Sequence, residues 1–323
     1  MKKSVRLIVV AFVFGALATF SCKEKEPTPE PTTHLNFFYS VDYKTAAFTA
    51  LTNHGESFLW EFGDGSTSTE KNPVHTFVDG GTYDVKLSVT GGKVPLKPIE
   101  KEVAVALSNI QMLAGDQKAV NGKRWRISAT HAAPVAKSPD RLALADGNFT
   151  SVQDLTAGLL GDMGLGLPEV YADEFLFKND GTFQRMPKHG GTFANAIYAT
   201  TVGASIIKVA SIKDFAFLCY AASTPKTGVN FNFEEDQNVT LQTLSLTSGG
   251  PVDVTYSNVM TLSFSDNEFI GFMDFYKKYI ILSLTPEKMQ LAIFASVGGA
   301  FGAPAQVAAL PTHALILTFE VVR

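Results

Sequence analysis

Trp60-Glu61-Phe62-Gly63-Asp64-Gly65-Ser66 (WEFGDGS) contains the clearest structural signal in the first part of the chain. Phe58, Trp60 and Phe62 alternate with Leu59 and Glu61, and a repeat of two residues is typical of a half-buried β-strand. The glycines at 63 and 65 supply the positive φ angles that a tight turn needs. The stretch therefore predicts a strand that ends in a hairpin turn.

The same alternation continues on both sides of this strand. Residues 83–89 and 103–107 each place apolar side chains on one face and polar ones on the other, and Asp79-Gly80-Gly81 supplies a second turn. Six or seven short strands in about 70 residues fit an Ig-like β-sandwich. We therefore predict such a sandwich over residues 36–107.

Three sequence blocks in this region closely resemble a PKD domain. They are residues 60–66, then Asn72-Pro73-Val74-His75-Thr76-Phe77, then Gly81-Thr82-Tyr83-Asp84-Val85, in the order that this family has them. The resemblance implies a spacer or interaction module of an extracellular protein, without catalysis. Asp64 is interpreted as a turn residue in preference to a calcium ligand.

The composition excludes several classes of protein. Of 323 residues, 46% are hydrophobic, 18% are charged and two are cysteines. These values do not fit a disordered chain, a coiled coil or a disulfide framework. The net charge of −4, without a basic cluster, also argues against a nucleic-acid partner. Cys219 lies in an apolar stretch and is expected to be a buried free thiol.

The N-terminus has the pattern of a secretory signal. Three basic residues precede the apolar run 7–20, which is too short to span a bilayer as a helix. Cys22 follows Ser21 at the end of the run and resembles the lipidated cysteine of a lipobox. We expect a signal peptide over residues 1–21, lipidation of Cys22 and a Pro/Thr-rich tether over 22–35; cleavage after Ala18 is the alternative. The charged run after Cys22 resembles that of Bacteroidetes-type surface lipoproteins, which implies attachment to the outer membrane.

Residues 108–323 are predicted to form a second, larger all-β domain. Short strand patterns separated by turn signals favour an antiparallel sandwich or a meander barrel. The apolar stretch 206–222 fits either two strands or a strand and a helix. The predicted strands are 174–178, 182–186, 229–233, 239–246, 252–256, 260–264, 268–273, 279–284, 288–294 and 314–322.

Further blocks of the second domain carry two resemblances. Residues 171–177, 179–183 and 279–285 are similar to the C-terminal domains that follow PKD modules in surface lipoproteins of polysaccharide-utilisation systems. Gly122-Lys123-Arg124-Trp125 at the start looks like the opening of a lipocalin-like meander. The first resemblance implies glycan binding, and the second implies a cavity for a hydrophobic ligand.

The sequence lacks the motifs of common enzymes. The six histidines are scattered, and there is no Gly-x-Ser-x-Gly elbow or phosphate-binding loop. Asp173 and Glu174 are neighbours on a predicted strand and point to opposite faces, so they cannot act together on one bond. We expect no catalysis, metal site or cofactor.

Sugar binding requires exposed aromatic faces with polar groups nearby. The candidate ligand-binding residues near predicted loops are His131, Tyr171, Asp173, Tyr198 and Tyr276. Two apolar loops, residues 155–167 and 295–311, are either contact surfaces or parts of a core.

These expectations lead to one main functional hypothesis. It is a non-catalytic surface lipoprotein that binds polysaccharide or oligosaccharide for an outer-membrane uptake system, in which a TonB-dependent transporter is a possible partner. The alternatives are a lipocalin-like carrier of a hydrophobic ligand and a structural or adhesive subunit that binds another protein.

Overall fold

The computed structural model describes residues 34–53, 55–92, 95–131, 139–161, 164–212, 217–297 and 309–323. The expected signal peptide, Cys22 and most of the expected tether lie outside these residues, as do 298–308 of the second apolar loop. Within the described residues, no helix is both long enough and apolar enough to cross a bilayer.

The first domain is a β-sandwich of two antiparallel sheets. One sheet has the order β1-β2-β5 and the other β4-β3-β6-β7. Their strands are β1 (Leu35–Asp42), β2 (Thr45–Thr52), β3 (Ser57–Glu61), β4 (Thr67–Ser68), β5 (Val74–Thr76), β6 (Gly81–Thr90) and β7 (Ile99–Val105).

Aromatic rings from both sheets fill the sandwich. Trp60 is fully buried and lies 5.1 Å from Phe37 and 5.3 Å from Phe48, measured between ring centres. Strand β6 buries alternate residues from Tyr83 to Val89, as the period of two predicted. The Asp64 carboxylate accepts hydrogen bonds from the Ser66 backbone and hydroxyl within the turn, which agrees with its interpretation as a turn residue.

The rest of the described chain is also mostly β-structure. Helix α1 (Asn109–Ala114) leads into it, and helix α2 (Ala196–Thr201) and 3-10 turns at Pro168–Tyr171 and Ser265–Asn267 lie further on. The strands are β8 (Lys123–Ile127), β9 (Arg141–Leu144), β10 (Ser151–Asp154), β11 (Glu174–Phe177), β12 (Thr182–Met186), β13 (Gly191–Asn195), β14 (Ile206–Val209), β15 (Leu218–Ala222), β16 (Val229–Leu244), β17 (Pro251–Phe264), β18 (Lys278–Leu284), β19 (Lys288–Ala295) and β20 (His313–Val321).

Eight of these strands close into an antiparallel barrel. The order is β8-β11-β12-β16-β17-β18-β19-β20, and β20 returns to pair with β8 through Phe319–Ile127 and Val321–Trp125. Consecutive strands in the ring are neighbours, which makes this an up-and-down meander. Of the two predicted architectures, sandwich and meander barrel, the second domain has the barrel.

Bulky side chains fill the barrel, and α1 closes one end. Trp125, Phe175, Phe177 and Tyr279 are all buried in its core. The Trp125 indole N–H donates to the carbonyl of Leu113 in α1 at 2.8 Å. Helix α1, which was not predicted from the sequence, therefore forms the floor of the barrel.

The other end of the barrel lies beneath a cap inserted between β12 and β16. Strands β13, β15 and β14 form a small sheet beside α2. The Met273 N–H donates to the Phe193 carbonyl, which ties the cap to residues 268–277. The stretch 206–222 is thus two strands, whereas the strand predicted over 268–273 was wrong, because Gly271 has a positive φ of 71° and the chain turns there. In the first apolar loop, Leu160, Leu165 and other leucines are buried in the same core, so that loop does not form an exposed contact surface there.

A second apolar layer covers the outside of the barrel. Bulges after Glu234 and Gln237 bend the long β16–β17 hairpin. A separate core combines Val239 and Leu241 of β16 with outward residues of β18, β19 and β20. Ala143 of β9 belongs to this core, while β10, which pairs with β9, is exposed along its whole length; neither strand was predicted from the sequence.

Asp140 joins the strands at the barrel seam. Strands β8 and β9 lie end to end against β20, separated by residues 128–140. The fully buried Asp140 carboxylate accepts hydrogen bonds from the Thr318 N–H at 2.7 Å and the Thr318 hydroxyl at 2.6 Å. Gln290 also donates to it, at 3.1 Å. The side chain therefore replaces the backbone partner that β20 lacks at this position.

Gln111 connects the two domains. Its side chain forms a capping box with Ser108 at the start of α1. The same amide accepts from the Gly80 N–H at 3.0 Å and donates to the Gly80 carbonyl at 3.1 Å. A Cβ at position 80 would lie 2.1 Å from the Ala106 carbonyl oxygen, so only glycine fits. One buried side chain thus provides hydrogen-bond partners both for Gly80 of the sandwich and for the start of α1, the helix at the floor of the barrel.

The Gln111→Ala variant is expected to lose about 1–3 kcal/mol of unfolding free energy, because it leaves both polar groups of Gly80 without partners and removes a helix cap. Urea unfolding followed by tryptophan fluorescence measures this, since Trp60 and Trp125 lie one in each domain. Gln117→Ala is the control, because Gln117 bonds the Tyr83 hydroxyl from a more exposed position. Equal losses in the two variants would contradict the role given to Gln111.

Candidate functional site

The exposed aromatic rings of the described residues all lie in one hairpin. Phe38 is 61% exposed, Tyr39 41% and Tyr43 65%, and every other described Phe, Tyr or Trp ring is at least half-buried. These three residues belong to β1 and to the turn that follows it. We call residues 38–43 the aromatic hairpin.

The register of β1 explains why these rings face solvent. Phe37 and Phe48 point into the sandwich, so Phe38, which pairs with Thr49, must point outward. Strand β1 is also the edge of its sheet, with β2 as its one described partner. Tyr39 lies at the rim, where its hydroxyl donates to the Glu102 carbonyl at 3.0 Å and its ring contacts Phe37.

Tyr43 has a backbone conformation that is energetically unfavourable for residues other than glycine. Its φ is 54°, in the left-handed region, which costs an L-residue about 1–2 kcal/mol. Its carbonyl accepts from the Ala106 N–H at 2.9 Å, and the next residue, Lys44, accepts at its carbonyl from Phe77 and donates from its ammonium to Val78. The turn is therefore anchored from both sides while the Tyr43 ring remains in solvent.

A cation lies beside the exposed rings. The Lys101 ammonium is 5.7 Å from the centre of the Phe38 ring and donates to the Phe37 carbonyl at 2.6 Å. Flat ring faces with a hydroxyl and an ammonium nearby can stack on the apolar face of a sugar and bind its polar groups. The aromatic hairpin has the chemistry for such contacts.

His131 and Tyr171, two of the predicted ligand-binding residues, are brought together inside the protein. His131 is 1% exposed; its Nδ1 lies 3.0 Å from an Asp140 oxygen and its Nε2 2.7 Å from the Tyr171 hydroxyl. The Tyr171 oxygen also accepts from the Leu160 N–H. With a proton on Nδ1, His131 donates to Asp140 and accepts from the Tyr171 hydroxyl at Nε2, so each group in this series has a partner. Burial raises the pKa of Tyr171 to about 12. The arrangement leaves neither ring free for a ligand.

Asp173 lies under the cap. Its carboxylate accepts from the Lys188 N–H at 3.1 Å and from the Tyr220 hydroxyl at 3.5 Å. Burial raises the pKa of Asp173 to about 7, against the hydrogen bond from Lys188, which lowers it. The group is therefore partly protonated near neutral pH and is not presented to solvent.

Tyr198 and Tyr276 are half-buried in different cores. The Tyr198 ring lies edge-on to Phe275, and the Tyr276 ring packs against Phe294 in the outer layer. The structure thus joins His131 to Tyr171 and does not bring the other predicted residues to the same contact. Their role in ligand binding stays a prediction.

The described residues include no group of three or more His, Cys, Asp and Glu side chains placed to hold a metal ion. Cys219 is buried and unpaired, as predicted, and burial raises the pKa of its thiol to about 11. The thiol is therefore protonated and unreactive at neutral pH.

The aromatic hairpin was not predicted from the sequence, although the sequence contains a signal for it. Phe37-Phe38-Tyr39 places three aromatic residues in succession on a strand, and neighbours on a strand face opposite sides. At least one ring therefore had to point away from the core.

A family model described as a PKD domain matches residues 31–94. Collagenase ColQ1 of Bacillus cereus (strain Q1) is 29% identical over 123 residues, which are 38% of this chain and 13% of that protein. Collagenase ColA of Bacillus cereus (strain ATCC 14579) is 61% identical over 33 residues, or 10% of this chain and 3% of that protein. A microbial collagenase of Vibrio alginolyticus is 59% identical over 34 residues, 10% of this chain and 4% of its own length. The chain thus spans only a small part of these relatives.

Two solved structures match the same kind of module. The PKD1 domain of Vibrio anguillarum Epp is 26% identical, with a TM-score of 0.22, and the match covers 24% of this chain and 95% of that one. The PKD1 domain of the Vibrio cholerae metalloprotease PrtV is 27% identical, also with a TM-score of 0.22, and the match covers 23% of this chain and 96% of that one. From the family match, residues 31–94 form a PKD domain, as the three sequence blocks predicted.

Proposed function

We propose that this chain is a non-catalytic surface lipoprotein that binds extracellular polysaccharide through the aromatic hairpin of its PKD domain. Acyl chains on Cys22 anchor it to the outer membrane, and it holds glycan for an uptake system with a TonB-dependent transporter. The observation that carries the proposal is the exposure of Phe38 and Tyr43 on a rigid sandwich.

Strain and exposure together support a binding role for the hairpin. A large ring in solvent contributes nothing to the core, and a left-handed tyrosine in addition destabilises the turn. Residues held in unfavourable conformations are common at sites of function. A stacking contact with a ligand accounts for both features.

The buried state of the other candidates supports a role without catalysis. His131, the histidine that contacts a buried carboxylate and a tyrosine, has both ring nitrogens engaged and is closed off from solvent. A general base must instead reach the proton that it removes. The proposal therefore places recognition on the PKD surface and gives the barrel a structural role.

A second candidate is adhesion to a fibrous protein through the same hairpin. It is favoured by the 61% identity over 33 residues to a protein named as a collagenase. The carrier hypothesis has less support, because Trp125, Phe175, Phe177 and Tyr279 occupy the interior that a hydrophobic ligand needs. Detection of a co-purified lipid by native mass spectrometry would support the carrier hypothesis.

Phe38→Ala is expected to weaken polysaccharide binding about two- to tenfold, because it removes a stacking face worth roughly 0.5–1.5 kcal/mol. Affinity electrophoresis of the purified protein against neutral and acidic polysaccharides and gelatin measures this. Leu59→Ala is the matched control, since Leu59 is also exposed on a PKD strand but lies in the other sheet. Retardation by gelatin alone identifies the adhesive function, and no retardation by any polymer contradicts both.

Tyr43→Gly is expected to change binding and stability in different directions. Glycine removes the left-handed strain but adds freedom to the unfolded chain, so the unfolding free energy stays level or rises by up to about 1 kcal/mol. Polysaccharide binding falls because the ring is lost. Thermal unfolding and affinity electrophoresis of the same preparation test both, and full binding by the variant would contradict a role for the ring.

Cys22→Ala is expected to abolish incorporation of radiolabelled palmitate and release the protein from the membrane fraction. Two or more acyl chains are needed for stable anchoring, each buried methylene contributing about 0.8 kcal/mol. Cys219→Ala is the control, because that thiol is buried. Wild-type protein without label, and with an N-terminus after Ala18, would favour the alternative cleavage.

A further inference from the structure

Two cations lie beneath the cap at the end of the barrel. Arg185 is an inward-pointing residue of β12 and is 2% exposed, and Lys277 directly precedes β18. Both contact Phe269, with the Arg185 Cζ 4.3 Å and the Lys277 Nζ 4.9 Å from the ring centre. The Lys277 Nζ also lies 4.5 Å from the centre of the Tyr198 ring. We call Arg185 and Lys277 the cation pair.

The nearest carboxylate to Arg185 is already occupied by other donors. One oxygen of buried Glu268 accepts from the Arg185 Nε at 3.1 Å and from the Phe269 N–H at 3.2 Å. The other oxygen accepts from the Lys226 N–H at 2.8 Å. Arg185 uses Nη2 to bond the Ser223 hydroxyl, so its Nη1 is the group that remains.

Asp274, the other carboxylate near Lys277, is equally occupied. Its Oδ2 accepts from the Asn195 amide at 2.9 Å and from the Ser296 N–H at 3.1 Å, and its Oδ1 accepts from the Phe275 N–H. These bonds hold Asp274 to the cap and to the end of β19. Lys277 is close enough to affect the charge on Asp274 but makes no hydrogen bond to it.

The site therefore has more donors than acceptors. Within the described chain, the Arg185 Nη1 and the Lys277 Nζ are both buried and have no hydrogen-bond partner. The ring faces of Phe269 and Tyr198 attract a cation but do not accept its N–H groups as an oxygen does. Buried donors of this kind are costly, and almost all of them in native proteins have a partner.

We propose that the cation pair binds a small monoanionic oxyanion of the carboxylate class, which accepts from the Arg185 Nη1 and the Lys277 Nζ. One negative charge suits the site at low pH, because Asp173, which interacts with Arg185 through its charge, and Asp274 then become protonated and, of these three carboxylates, leave Glu268 against Arg185 and Lys277. The site then carries one unbalanced positive charge, which one bound anion can neutralise. This inference does not depend on the polysaccharide proposal, since the site lies in the barrel domain.

The charges around Lys277 set the pH range for binding. Burial lowers the pKa of Lys277 to about 8, although Asp274 and Glu268 raise it; Arg185 and Lys226 add to the lowering. Burial raises the pKa of Asp274 to about 6.

Burial also raises the pKa of Asp173, which interacts with Arg185 through its charge, to about 7. Lowering the pH from about 9 to about 6 therefore protonates Lys277, then Asp173 and then Asp274, and all three changes favour an anion. Binding is strongest near pH 6 and falls above pH 8.

Thermal unfolding of the full chain in acetate at pH 6, with chloride at equal ionic strength as the reference, tests this site. The expected result is a midpoint that rises with the logarithm of the acetate concentration, by about 2–4 °C at the highest concentration. Lys277→Met removes the dependence. Lys278→Met is the matched control, because Lys278 pairs with Glu234 at the surface, and it keeps the dependence.

A measurement on the wild-type protein alone covers the case in which Lys277→Met does not fold. Saturation-transfer NMR on the acetate methyl group at pH 6 and pH 9 should show transfer at the lower pH and at least a roughly fivefold weaker signal at the higher one. Inorganic phosphate should compete less well than acetate. No transfer at pH 6, or the same midpoint shift in Lys277→Met and Lys278→Met, overturns the proposal.

Discussion

The pairing of β20 with β8 is the constraint on which the second domain depends. Because Phe319 and Val321 complete the ring through Ile127 and Trp125, the barrel has no free edge there and each inward residue faces a closed interior. The ring interior must then be filled from within. Large aromatic side chains fill it, and α1 and the cap cover the two ends of the barrel. Asp140 continues the seam where β8 ends, so its carboxylate is part of the closure as much as the strands are.

Both domains bury aromatic rings in their cores, but among the described residues the exposed rings all belong to the PKD domain. In the barrel, rings such as Phe175 and Phe177 are enclosed and stabilise the fold, while in the PKD domain Phe38 and Tyr43 remain in solvent. This difference is the physical basis for placing recognition on the sandwich. It also makes the two proposed sites independent of each other, since the cation pair lies under the cap and shares no residue with the aromatic hairpin.

The strands with simple alternation could be predicted from the sequence, and so could β18, β19 and β20, whose apolar runs are buried on both faces, whereas β13 could not. The pattern from Tyr83 to Val89 shows which side faces the core, because one face meets water. Strand β13 has five buried residues in succession, so no period of two remains to reveal it. The candidate site was harder to predict for a related reason. His131 was expected at a surface loop, but Asp140 and Tyr171, which lie 9 and 40 residues further along the chain, enclose it once the protein is folded.

The hydrogen bonds between Gln111 and Gly80 affect how force passes from one domain to the other. A polymer bound at the sandwich, as proposed, would pull on a protein whose second domain is joined to the first by the buried Gln111 amide, by the more exposed Gln117 side chain and by the backbone that leads into α1. Tension on the first domain passes through the Gly80 peptide into α1 and from there to the indole under the barrel. The buried Gln111 amide therefore lies on the path along which tension passes from one domain to the other.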